Sequence, residues 1–143
     1  MLVPVVIHKE EGSAYGVTVP DIPGCYGASD HSVEDALRNT SESIEFHIEG
    51  LMQDPESELP SIGSIDDHID NKDYSDAFMW ASVNFDVNKL IANKARRFNL
   101  SMKELVLAKV DRRAHQLGMD RSEYFAFAAI EEMTKKASDS LAK

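Results

Sequence analysis

A six-residue segment, Arg97–Met102, constrains the fold of this chain more than any other feature. Polar and apolar side chains alternate along it. The polar residues are Arg97, Asn99 and Ser101, and the apolar residues are Phe98, Leu100 and Met102. A period of two predicts a β-strand with one buried face. Because an isolated strand is unstable, we expect the segment to pair with a second copy of itself, while the segments that follow supply a core.

The polar side of this strand carries the side-chain types that reach base edges in DNA. Arginine binds guanine, asparagine binds adenine, and serine binds either kind of base. We therefore predict that Arg97, Asn99 and Ser101 are base-reading residues and that double-stranded DNA is a partner of this chain.

Two amphipathic segments follow the strand and predict two helices. The first, 103–117, ends at Gly118, a residue typical of helix C-termini. The second starts after Asp120, with Glu123 placed to complete a capping box, and is apolar nearly all round. In so small a unit, such a helix must be buried by a second chain, so we expect an obligate homodimer. The predicted dimer core is formed by apolar residues of the strand and both helices: Phe98, Leu100, Met102, Val106, Val110, Phe125 and Ala129.

Charge divides the chain into two parts. The net charge is −10, yet residues 1–90 hold 4 Lys and Arg against 18 Asp and Glu, whereas residues 91–143 hold 11 against 7. Such an asymmetry indicates different partners for the two parts and predicts two domains, 1–90 and 91–143. A simpler reading, that the acidic residues only keep the first part soluble, also fits the composition.

The first part has the pattern of a small α+β domain. Its order is predicted as β-β-β-α-β, with strands at Leu2–Ile7, Tyr15–Val19, Cys25–Ala28 and Phe78–Val87 and a helix from Ser32 to about Met52. Pro4 favours an edge or strand start for the first strand. Apolar residues on both faces at its start favour a last strand that is central or covered on both sides.

One face of the predicted helix carries an aromatic residue among carboxylates. Phe46 lies opposite the apolar stripe, beside Glu42 and Glu49. A single exposed aromatic residue is common on protein surfaces, but this arrangement is also typical of an anchor at a protein interface.

The second part resembles the ribbon-helix-helix family of bacterial repressors over residues 95–135. The resemblance depends on the order Arg97–Met102, Val106, Val110 and Leu117–Glu123. It implies that paired strands place Arg97, Asn99 and Ser101 in the major groove and that Asp120, Arg121 and Ser122 lie on a DNA phosphate. Lys103 stands where the family often has proline. The alternative is a dimerisation module without a DNA role.

The first part resembles HicB-type antitoxins. The resemblance depends on the segments Pro4–Ile7, Tyr15–Cys25 with its Pro-Asp-Ile-Pro-Gly-Cys run, and Ser32–Leu37. It implies a degenerate RNase H-like layer that binds and blocks a HicA-type mRNA-cleaving toxin, in a protein that represses its own operon. Since such a toxin must bind RNA, its surface should be basic and complement the acidic part. Contacts are expected at Glu42, Phe46 and Glu49 and in the loop 54–76.

Several other functions are disfavoured. The predicted strands before Asp86 carry no acidic residue, so we expect no metal-dependent nuclease and no enzyme. The histidines lack metal-ligand spacing, and we expect no metal or cofactor. A single cysteine and the absence of long apolar runs predict a cytoplasmic protein without a membrane partner. The alternative function is a ligand-sensing ribbon-helix-helix repressor with no toxin partner.

Overall fold

The computed structural model describes residues 1–91 and 95–136, which fall into two compact units. The first unit contains Met1–Phe85 and the segment that begins at Met133, and the second contains Asp86–Glu132. The division along the chain therefore lies slightly before the residue 90 boundary expected from charge.

The first unit is a four-stranded antiparallel sheet with one long helix. Its elements are β1 (Leu2–Lys9), β2 (Tyr15–Thr18), β3 (Tyr26–Ser29), α1 (Val33–Gln53) and β4 (Met79–Asn84). The spatial order of the strands is β3-β2-β1-β4, and every pair is antiparallel. Short 3₁₀ turns at Ile65–Asp67 and Lys72–Tyr74 lie between α1 and β4. The chain order is the β-β-β-α-β succession that the sequence predicts.

For two strands, the sheet decides between the positions that the sequence left open. The first strand is central, and the last strand is at the edge of the sheet. Pro4 is opposite Ser82 of β4, while the ladder with β2 begins only at Val6. Proline is tolerated there because only one side of Pro4 faces a strand, where one missing N–H can be accommodated. Among the apolar residues of this edge strand, Trp80 is covered by the rings of His68 and Tyr74.

Helix α1 covers one face of the sheet. Ile7, Val17 and Gly27 are side by side in the sheet register, and Gly27 lies directly against Thr40 of α1. The buried residues of α1 are Ala36, Thr40, Ile44 and Ile48. The 3.6-residue period of the sequence predicts an apolar stripe of Val33, Leu37, Ile44, Ile48 and Leu51 on this helix. The stripe includes the two buried isoleucines but not Ala36 or Thr40. A threonine can be buried there because its hydroxyl donates to the Ala36 carbonyl at 2.7 Å.

The segment before β4 is held to the sheet by one carboxylate. Asp21 accepts from the Gly63 backbone N–H at 2.9 Å, and its other oxygen lies 2.8 Å from His68 Nε2. The His68 ring stacks on Trp80 at a centroid distance of 6.4 Å, and Tyr74 meets Trp80 edge-on. Asp21 therefore does more than form the turn that the sequence predicts.

The segment starting at Met133 joins the same region. Ile62 N–H donates to the Thr134 carbonyl, and Ile62 forms a parallel bridge with Lys135. Lys136 Nζ lies 3.1 Å from Asp67 Oδ1. The Ser64 backbone N–H, Lys136 and the Ser64 hydroxyl lower the pKa of Asp67 to about 2.

In the described residues of the second unit, the helices are α2 (Asn88–Ile91), α3 (Glu104–Gln116) and α4 (Arg121–Thr134, whose last residues belong to the first unit). Gly118 has φ +68° and ends α3, as predicted, because left-handed backbone favours glycine. In the described residues 95–103, no helix or strand is assigned. The predicted strand Arg97–Met102 is thus unpaired in the single chain.

We predict that Gly27→Ala destabilises the first unit by about 1–3 kcal/mol, since the α1 backbone cannot move away at low cost. The new Cβ would lie 2.9 Å from Thr40 Cβ and 3.0 Å from Thr40 Cα. Gly16→Ala is the matched control in β2, where a Cβ would meet nothing within 4 Å. Urea denaturation of both variants tests this, and equal midpoints would contradict the close approach at Gly27.

A second prediction concerns acid stability. The pKa of Asp67 is lowered to about 2 from an ordinary 3.8, so its ionised form stabilises the fold above the ordinary pKa. That contribution is lost as the pH falls through the folded-state pKa. Between about pH 5 and pH 2, wild-type protein should therefore lose more stability than Asp67→Asn. Parallel slopes of stability against pH would show that Asp67 contributes nothing.

Candidate nucleic-acid and protein interfaces

Both faces of the segment Arg97–Met102 are open to solvent in the single chain. The polar residues Arg97, Asn99 and Ser101 are exposed, as base contact would require. The apolar side is exposed too, with 78% of Phe98 accessible, and the exposure continues into α3, where 80% of Leu105 is accessible. A contiguous run of exposed large apolar side chains is typical of an interaction surface.

The residues predicted for the dimer core are not buried within one chain. Phe98, Leu100, Met102, Val106 and Ala129 are exposed, and the other two predicted core residues, Val110 and Phe125, are half-buried. The second unit buries Val87, Leu90, Ala114 and Ile130 instead. Its single-chain core is therefore small, and most of its apolar residues remain available to a partner.

The start of α4 is closed by its own side chains. Asp120 Oδ1 accepts from the Glu123 N–H, and Glu123 Oε2 accepts from the Asp120 N–H, both at 2.8 Å. This is the predicted capping box. Arg121 forms a two-pronged pair with Asp111, with both hydrogen bonds at 2.8 Å. The pair lowers the pKa of Asp111 and raises that of Arg121, mainly through the hydrogen bonds between the two groups. Ser122 is exposed.

Sequence spacing could not identify the partner of Arg121. Asp111 lies ten positions earlier in the chain, on the other side of the turn at Gly118. Only residues three or four apart on one helix are neighbours by spacing alone. The three residues predicted to bind a DNA phosphate, Asp120, Arg121 and Ser122, are adjacent at the start of α4. Two of them already have partners, because Arg121 pairs with Asp111 and Asp120 accepts from the Glu123 N–H.

The acidic face of α1 has the exposure expected of an interface. Phe46 is 80% accessible, and Glu42 and Glu49 beside it are exposed. Ile44 and Ile48, on the opposite side of the helix, are buried. The structure thus brings the three predicted residues together on one solvent-facing surface.

Sequence reasoning missed an open cavity of about 470 Å³ at the end of α1. Its lining combines apolar side chains with one serine and two carboxylates: Leu51, Met52, Asp54, Pro55, Ser57, Glu58, Leu59 and Met133. The Ser57 hydroxyl and the Glu56 N–H lower the pKa of Asp54. The cavity forms where residues distant in the chain converge, which no local pattern indicates.

The free thiol of Cys25 is a packing group. Cys25 is buried, its Sγ lies 3.5 Å from Ser43 Oγ, and burial raises its pKa. A protonated, inaccessible thiol is a poor nucleophile. Among residues 1–91 and 95–136, no cluster of three potential ligands could hold a metal ion. None of the described helices is long and apolar enough to cross a membrane.

Comparison with known proteins gives matches across both units. A phage protein, the uncharacterised 14.9 kDa product of the rep-hol intergenic region of Haemophilus phage HP1, is 39% identical over 111 residues, which is 78% of this chain and 80% of that protein. The crystal structure of the Burkholderia pseudomallei antitoxin HicB superposes with a TM-score of 0.73 at 34% identity, covering 93% of this chain and 98% of that one.

A toxin–antitoxin complex of HicA3 and HicB3 contains a third similar chain. It superposes with a TM-score of 0.51 at 28% identity, covering 60% of this chain and 99% of that chain. The family model for the HicB-like antitoxin of bacterial toxin–antitoxin systems matches residues 3–129. This match covers most of the chain, so the protein belongs to the HicB-like antitoxin family.

Proposed function

We propose that this protein neutralises a HicA-type mRNA-cleaving toxin and represses its own operon as a ribbon-helix-helix dimer on operator DNA. The observation that carries the proposal is the extent of the family match, residues 3–129, which spans the acidic first unit and most of the second. The HicA3–HicB3 complex supports a toxin partner of the HicA type.

The acidic first unit is the toxin-binding part of this proposal. Residues 1–85 carry 17 Asp and Glu against 3 Lys and Arg. An mRNA-cleaving toxin needs a basic surface for its substrate, and an acidic protein is attracted to such a surface. The proposed contact is the face of α1 that carries Glu42, Phe46 and Glu49, with the aromatic ring as an apolar anchor among charges.

This unit acts by binding and not by catalysis in the proposal. An RNase H-like nuclease needs several carboxylates converging on metal ions. The strands β1, β2, β3 and β4 contain no Asp or Glu. Most of the carboxylates lie on α1 and in the segment between α1 and β4, where they form a charged surface.

The second unit is the DNA-binding part. Between Phe98 and Val106, a single chain leaves several large apolar side chains exposed to solvent. Pairing Arg97–Met102 with a second copy would satisfy the backbone groups, bury Phe98 and Leu100, and put the polar residues of both copies on one face. A two-stranded ribbon of that kind fits the major groove. Two such dimers, a tetramer, would occupy a repeated or palindromic site.

A second candidate function is a ligand-sensing repressor without a toxin partner. The observation that favours it is the cavity at the end of α1, whose volume of about 470 Å³ is within the range of small-molecule sites. Expression of the open reading frame that neighbours the gene, alone and together with this protein, separates the two. The antitoxin proposal requires that this frame encodes a protein that stops growth alone and is harmless with the antitoxin.

For toxin binding, we predict that Phe46→Ala weakens the complex by about 2 kcal/mol or more, as expected of a central aromatic anchor. Glu42→Lys should weaken it as well by opposing the basic surface of the toxin. Glu10→Lys, the same charge change at an exposed residue outside α1, is the control. Titration with purified toxin measures all three, and unchanged binding in the first two would show that another face is used.

For DNA reading, we predict that Arg97→Ala or Asn99→Ala lowers operator affinity by roughly 1–3 kcal/mol and relaxes the sequence preference. Arg38→Ala is the matched control, because Arg38 is an exposed arginine of the first unit that pairs with Asp35. Binding to operator variants is measured for each protein. Full affinity and preference in both variants would exclude base reading by this strand.

A further inference from the structure

Three cations lie along one exposed face of α3. Lys109, Arg112 and Arg113, here called the basic stripe, are all exposed. Their spacing of three and four residues places them on one side of the helix. Ala114, which is buried, points away from that side. The stripe therefore faces solvent and not the core of the second unit.

The charges of the stripe are not compensated by carboxylates. Arg113 donates to Gln116, a neutral side chain, at 3.4 Å. Within the described part of the chain, Lys109 and Arg112 form no ion pair. A cation without a carboxylate partner keeps its full attraction for an external anion, and exposed cations on one helix face add their fields.

The start of α4 has the opposite character. Arg121 is held by Asp111, and Asp120 and Glu123 occupy each other's backbone N–H groups. The start of α4 and its Asp111 partner thus carry three carboxylates against one guanidinium. A phosphate arriving there would meet an excess of negative charge and would have to compete with the Asp111 carboxylate for Arg121. This balance disfavours the phosphate site predicted at Asp120, Arg121 and Ser122.

We infer that the basic stripe of α3, and not the start of α4, contacts the phosphate backbone of double-stranded DNA. This inference rests on the proposed DNA binding and locates its phosphate contacts. The stripe spans about 6 Å along the helix axis, and each DNA strand carries a phosphate every 3.4 Å or so along its axis. Two neighbouring phosphates are therefore within the length of the stripe. Arg121 instead ties the start of α4 to α3 through Asp111.

The test compares Lys109→Gln, Arg112→Gln and Arg121→Gln in the full-length protein. Affinity is measured over a series of salt concentrations for two probes of equal length, a duplex from upstream of the gene and an unrelated duplex. Each stripe substitution should weaken both duplexes alike and reduce the slope of log affinity against log salt by about 0.9. Arg121→Gln should leave the slope unchanged. Circular dichroism of each variant confirms that the helices persist.

Three results would overturn the inference. A smaller slope in Arg121→Gln with unchanged slopes in the stripe variants would return the phosphate site to the start of α4. Unchanged slopes in all variants, with wild-type protein still binding, would remove the stripe from the DNA interface. If the stripe variants bind DNA as the wild type does but change the assembly mass measured by light scattering, the stripe contacts an acidic protein surface and not DNA.

The proposed function fails by a different result. Wild-type protein that binds neither duplex would overturn DNA binding itself and the stripe with it. Equal wild-type affinity for the two duplexes, with smaller slopes in the stripe variants, would overturn base reading by Arg97 while supporting the phosphate contacts of α3.

Discussion

The first unit depends on the two oxygens of a single carboxylate. Asp21 follows β2 in a tight turn, and it binds both the Gly63 backbone and the His68 side chain. These bonds hold the segment between α1 and β4 against the sheet, where His68 stacks on Trp80. Ile62, next to Gly63, then pairs with the backbone of Thr134. A half-buried carboxylate with complete hydrogen bonding thus organises segments that are far apart in the chain.

Charge separates the tasks proposed for the two units. The first unit carries a large excess of carboxylates, and the second carries the cations that nucleic acid requires. Within the second unit the separation is repeated on a smaller scale, since the start of α4 is acidic around Arg121 and the outer face of α3 is basic. An overall charge of −10 is therefore compatible with the proposed DNA binding because the fields act locally.

Patterns of neighbouring residues predicted those features of the structure that depend on interactions between neighbouring residues. The β-β-β-α-β order, the glycine at the end of α3 and the capping box before α4 all depend on residues within a few positions of each other. The prediction failed where distant segments meet. Pro4 left an edge strand and a strand start both open, and the sheet places it near the start of a central strand, beyond the end of β2. Thr40 was missed because its hydroxyl bonds its own helix.

By itself, the sequence determined the family, the succession of elements in the first unit and the acidic and basic parts of the chain, because periodicity, caps and charge are written in adjacent residues. Only the tertiary structure decided which strand is central, that Asp21 binds His68, that a cavity opens beside Met133, and that Arg121 already has an anionic partner in Asp111. These features join residues that the chain separates, and their geometry follows from packing and backbone pairing across the fold.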